Sequence, residues 1–199
     1  MAAWRLATHS AKARRLGAEI AFVDEVGFSF LLSVATTWAP KGQTPVLRRT
    51  SQRRVLSTVV ALTTSGKLFK RHFRRAVRGE DVLLALRHFR RHLPGPLMVV
   101  WDRLSAHRDK QVQQFIAQDA DLYVEWLPPY APDLNPEETC HGNVKQHLRN
   151  ATPATVDQLR TLVDRGCARL RRRPDLLRRP DLLQGFFHHA GLTDVTLFI

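Results

Sequence analysis

Short runs of consecutive apolar residues alternate along the chain with longer stretches whose apolar positions recur every three or four residues. The segment AEIAFVD (18–24) gathers Ile20, Phe22 and Val23 and closes on a carboxylate, the pattern of a buried strand. VLSTVVALT (55–63) is β-branched and apolar, and the TSG after it predicts a turn into KLFKRHF, the second arm of a hairpin. Between these runs, WAPKGQTPV (38–46) holds two prolines and a glycine and reads as loop. Residues 79–93 place Val82, Leu86, Phe89 and Leu93 at helical spacing, with acids in the first turn and PGP as the stop. LMVVW (97–101) is a second buried-strand run, ending against Asp102. A helix over about 109–118 carries Val112, Phe115 and Ile116 on one face, and LYVEWL (122–127) predicts another strand. Four prolines stiffen the loop PPYAPDLNP, where Asn135 and Pro136 read as N-cap and first residue of a helix to about Asn150. A last helix spans about 155–173, with Val156, Leu159, Val163 and Leu170 inward. This order predicts an α/β fold, a mixed sheet with helices against its faces. One domain over 18–199 would follow a basic N-terminal arm at 1–17.

Composition narrows the picture. A chain of 199 residues, 44% hydrophobic and 25% charged, can bury a core and is not mainly disordered. No run approaches the roughly 18–20 apolar residues of a membrane span. Cys140 and Cys167 offer neither a disulfide framework nor zinc spacing, and with no apolar signal-peptide core a cytoplasmic location is expected. The 31 Lys and Arg against 18 Asp and Glu give +13, which favours a polyanionic partner, nucleic acid first. That charge is uneven: from Val26 to Gly79 there are eleven bases and no acid, whereas residues 80–138 hold ten acids and six bases. Arg48, Arg49, Arg53 and Arg54, with Lys67, Lys70, Arg71, Arg74, Arg75 and Arg78, are therefore the expected phosphate contacts. RRPDLL occurs in tandem at 172–177 and 178–183, too few copies for a solenoid.

Three acids stand out by placement. Asp24 and Asp102 each close a strand run, and Glu138 lies in the first turn of the helix after the proline-rich loop. Alone, each has an ordinary reading, as a turn cap or a capping-box acid three residues after Asn135. Together they can supply hard oxygen ligands to Mg²⁺ or Mn²⁺ at the carboxyl ends of strands. Two such ions about 3.5–4 Å apart serve in-line phosphoryl displacement.

FVDEVGF (22–28), WAPKGQTPVL (38–47), VVWDRLSAHR (99–108) and WLPPYAPDLNPEE (126–138) resemble the DDE transposases of bacterial insertion sequences in the mariner-type superfamily. RRRPDLL (171–177) and GFFHHAGL (185–192) look like the same group's C-terminus, so the likeness runs over roughly 18–192. The resemblance implies a ribonuclease-H-like fold, and two aspartates and a glutamate that bind two Mg²⁺ (or Mn²⁺) and carry out DNA strand cleavage and transfer. Its partners would be transposon ends and target DNA, met as a homodimer in the bacterial nucleoid. Asp24 matches the first family aspartate and Asp102 the second. Alignment on the proline-rich motif and on Val144 and Lys145 places the glutamate at Glu138, while periodicity puts Glu137 on the face of His141, Val144 and Leu148. His141 stands where the family usually carries an aromatic residue, and His107 is given no catalytic role. The family normally carries helix-turn-helix modules before the catalytic domain, so this chain is expected to be a catalytic half, with a separate helix-turn-helix polypeptide as candidate partner. The alternative is a catalytically inactive DNA-binding remnant.

Overall fold

The chain turns five strands into one mixed sheet, seen in a computed structural model that describes residues 2–48, 55–128 and 135–173. Helix α1 (Ala2–Leu16) leads into β1 (Glu19–Ser29), and β2 (Val55–Thr63) and β3 (Leu68–Phe73) form the hairpin. Then come α2 (Gly79–His92), β4 (Leu97–Trp101), a 3₁₀ turn at Ser105–Arg108, α3 (Lys110–Gln118), β5 (Leu122–Trp126), α4 (Pro136–His147) and α5 (Val156–Arg171). The strand order is β3-β2-β1-β4-β5, with β1, β2 and β3 antiparallel and β4 and β5 parallel to β1. In the hairpin turn Gly66 takes φ 81°, a conformation that costs glycine little.

Side-chain alternation sorts β1 between two cores. Ile20, Phe22, Val26 and Phe28 pack with Val144 of α4, Leu148 just past its end, and Leu159, Val163 and Leu170 of α5. Ala21 and Val23 pack on the opposite face with Val82, Leu86 and Phe89 of α2 and Val112 of α3. A strand covered on both faces needs apolar residues throughout, and all five residues of β4 are buried.

The hairpin, β4 and the helices form where the apolar pattern places them. The basic N-terminal segment is a helix over residues 2–16, and Ala13 reaches the α4–α5 core. One expectation changes: β1 runs five residues past Asp24, because β2 continues to pair with it antiparallel as far as Ser29 with Val55. The RRPDLL duplication beyond Arg173, the GFFHHAGL tail and residues 129–134 of the proline-rich loop lie outside the described residues.

Candidate active site

The extension of β1 sets where the acids meet. Its parallel pairing with β4 stops at Phe22 with Val100, while pairing with β2 carries on through Asp24 with Val60. Residues 20, 22 and 24 share one face of β1, and 98, 100 and 102 share the same face along β4. Asp24 and Asp102 therefore enter a common opening just beyond the last residues that join the two strands. Asp24 lies inside a strand, not at its end.

Helix α4 closes that opening. Asn135 caps it, its Oδ1 accepting from the Glu137 N–H at 3.2 Å, and its Nδ2 donates to Asp24 Oδ2 at 2.9 Å. One side chain thus starts the helix and fastens it to the first acid. In the first turn, Glu138 is exposed while Glu137 is completely buried, with neither carboxylate oxygen hydrogen-bonded. Glu137 faces His141, 3.6 Å away, whose other ring nitrogen lies 3.8 Å from Asp24 Oδ2.

The electrostatics divide these acids by role. Burial raises the Asp24 carboxyl to about 7, with the charges of Glu25, Glu138 and Asp102 adding to it and the Glu25 N–H at 2.8 Å opposing. The charges of Glu138 and Asp102 are thus both felt at Asp24, which Asn135 ties to the start of α4. Burial, with Asp24's charge adding, lifts Glu137 well above the ordinary carboxylate range, while burial, with Lys145 adding, lowers His141 to about 3. Glu137 and His141 form a neutral buried pair beneath the acid that faces solvent.

Asp102 is held from the other side of the sheet. His107 is completely buried, and its ring stacks on Trp101 at 4.2 Å and 6°. Its Nδ1 lies 3.0 Å from Asp102 Oδ1 and 3.0 Å from the Asp102 carbonyl, and its Nε2 lies 2.7 Å from Glu25 Oε1. Burial alone lowers a histidine, but these two carboxylates outweigh it and raise His107 to about 10. Burial likewise pushes Asp102 up, yet the bonds from His107 and from the Leu104 N–H at 3.0 Å bring it below its ordinary value. Sequence reasoning assigned Asn135 only a capping role and His107 none. The spacing of His107 five residues after Asp102, and the alternation that sends Glu25 to the opposite face from Asp24, were the available signals.

Can these residues hold a cation? Asp24 and Asp102 lie on one face of neighbouring strands, and Asp24, Asp102 and Glu138 offer only hard oxygen donors, so the set fits Mg²⁺ or Mn²⁺. Glu25, Asp102 and His107 also place ligand atoms within 4.8 Å of one another, but both His107 nitrogens already face acceptors.

The expected phosphate contacts separate on inspection. Arg48 and Arg78 are exposed, as is Lys67, whose nearest acid is Glu19 at 3.8 Å. Arg71 is half-buried on β3. Arg74 pairs with Asp157 at 2.5 Å, and Arg75 with Glu80 and Asp81. Lys70 alternates with Leu68 and His72 towards α5, where Asp164 matches its charge inside the fold. Arg49, Arg53 and Arg54 lie outside the described residues.

Residues 19–160 match the family described as DDE superfamily endonuclease. No curated protein sequence matches. Among solved structures, the mariner Mos1 paired-end complex with Mg is 16% identical, with a TM-score of 0.63 over 96% of this chain and 60% of that one. The Mos1 transposase catalytic domain with raltegravir and Mn is 14% identical, with a TM-score of 0.55 over 91% of this chain and 88% of that one. A chain of the simian T-cell lymphotropic virus intasome is 17% identical, with a TM-score of 0.51 over 72% and 46%. The likeness is one of fold, ribonuclease-H-like as expected, and the chain spans about 60% of the length of the Mos1 chains in the paired-end complexes.

Proposed function

The chain belongs to the DDE superfamily endonuclease family, and we propose that it is the catalytic domain of a DNA transposase, with Asp24, Asp102 and Glu138 as its metal-binding acids. Asp24 and Asp102 on one face of neighbouring parallel strands, with Asn135 tying Asp24 to the first turn of α4 that bears Glu138, support this reading. A pair of divalent cations held by these acids would supply an activated water and charge stabilisation for an in-line displacement at a DNA phosphodiester. The chain's own residues do the rest. Asn135 ties Asp24 to α4, whose first turn would bring Glu138 to the opening. The exposed bases Arg48, Lys67 and Arg78 would meet backbone phosphates, which position DNA without specifying its sequence. Transposon ends and target DNA are the substrates of this reading, with a homodimer and a separate end-recognition polypeptide as its wider assembly.

Nicking of supercoiled DNA tests it. Wild type should nick with Mg²⁺ or Mn²⁺ and not with chelator present. Asp102→Asn should lower the rate at least about a hundredfold, since metal charge stabilisation is worth several kcal/mol. Equal rates for the two proteins would refute the reading in favour of a DNA-binding remnant. Cleavage of RNA–DNA hybrids in preference to duplex DNA would point instead to a ribonuclease on the same fold.

A further inference from the structure

We infer that His107 is a positioning residue: it clamps one oxygen of Asp102 from beneath the sheet, with Glu25 as its anchor, and leaves the other oxygen for a cation. This rests on the proposed metal role of Asp102 and adds a residue that role does not require.

The geometry is specific. Asp102 is the first residue past β4, where no strand pairing fixes it, and its side chain is 44% exposed. An exposed aspartate at a strand end is free to rotate unless something holds it. Two groups meet the same oxygen, Oδ1: the Leu104 N–H donates to it at 3.0 Å, and His107 Nδ1, which is also hydrogen-bonded to the Asp102 carbonyl, lies 3.0 Å from it as an ion-pair contact. Both lie on Oδ1 rather than Oδ2. The imidazole is itself immobile, stacked on Trp101 from the same strand and tied through Nε2 to Glu25 at 2.7 Å. Glu25 adjoins Asp24 in β1 and points to the opposite face, where its side chain is only 11% exposed. One ring thus links the strand carrying the first acid to the second acid itself. A partner that orients a ligating carboxylate in this way typically changes metal affinity about 10–100-fold.

Asn and Gln separate the two bonds, because an Asn amide reaches about where Nδ1 sits and a Gln amide about where Nε2 sits. Phe keeps the stack on Trp101 and neither bond. The measurement is calorimetric titration of the full chain with Mn²⁺ alone, beside the thermal midpoint of each variant. His107→Asn should stay within about threefold of wild type in Mn²⁺ affinity, whereas His107→Gln and His107→Phe weaken it about 10–100-fold with unchanged stoichiometry. Thermal midpoints should rank differently, with Phe above Asn because it retains the packing. Glu25→Gln, which preserves an acceptor for Nε2, should bind Mn²⁺ like wild type, and Glu25→Leu like His107→Phe. Affinities that simply follow the thermal midpoints would overturn the inference by making His107 a packing residue. Loss of a bound ion in every His107 variant would overturn it by making His107 a ligand. Asp102→Asn is the reference: if wild type binds no Mn²⁺, or binds it no better than Asp102→Asn, the metal reading of the site fails first, and this inference with it.

Discussion

Glu137 and Glu138 are adjacent in sequence and opposite in circumstance. A helix turns about 100° per residue, so one neighbour is driven into the core while the other meets solvent. The buried Glu137 keeps its proton in the folded protein to well above its ordinary 4.5, so folding is penalised increasingly as pH rises from 4.5 towards the folded value. Glu137→Gln removes that penalty. Its thermal midpoint should exceed that of wild type, by more at pH 8 than at pH 5, as scanning calorimetry at the two pH values would register. His141 works in the other direction: with a folded value of about 3, it costs stability as pH falls below 6.5, and that acid-side loss should persist in the variant. At this scale the positions of Asp24 and Asp102 along β1 and just past β4, and of Glu137 on the buried face of α4, followed from local pattern. The bond from Asn135 to Asp24 and that from His107 to Glu25 join residues 111 and 82 positions apart, and no local pattern encodes them.

Among elements, the hairpin and β4 were legible because turn chemistry and β-branching are local. The far end of β1 was not, since GFS after Asp24 extends only because β2 is there to pair with it. An element junction also fixes one small residue. A Cβ on Gly79, in the first turn of α2, would stand 2.3 Å from the Cβ of Asp109, which caps α3. Gly79→Ala should therefore cost about 1–3 kcal/mol, read as a lower urea midpoint with unchanged slope. The start of α4 offers a cleaner separation of stability from activity. Asn135→Ala should lose about 1 kcal/mol of capping, whereas Asn135→Ser keeps a capping oxygen and costs little. Neither can reach Asp24, so both should nick DNA more slowly than wild type. Equal loss of stability in both would show that capping is not what Asn135 contributes.

For the molecule as a whole, charge distribution is the guide to its partner. The acid-free stretch from Val26 to Gly79 supplies exposed bases on the β2–β3 side of the sheet and on the irregular segment after β1, while Asp24 and Asp102 lie at the opening between β1 and β4. Replacing Arg48 and Arg78 together with Gln should flatten the dependence of log K on log salt by about 1.8 in DNA binding, about 0.9 for each lost phosphate contact. Lys70→Gln should leave that slope unchanged, because Asp164 already matches the Lys70 charge. A slope that fell equally for Lys70 would place it among the phosphate contacts after all. Net charge alone pointed to a polyanion, but only the fold distinguishes bases turned to solvent from one spent on α5.

The central claim is that three particular acids, and not the acidic neighbourhood in general, perform the chemistry. Single-turnover nicking rates in Mn²⁺ for Asp24→Asn, Asp102→Asn, Glu138→Gln and Glu137→Gln test it side by side. The first three should each fall at least about a hundredfold, and Glu137→Gln should remain within about threefold of wild type. A Glu137→Gln protein that is folded and inactive, beside a Glu138→Gln protein that still nicks, would contradict the account.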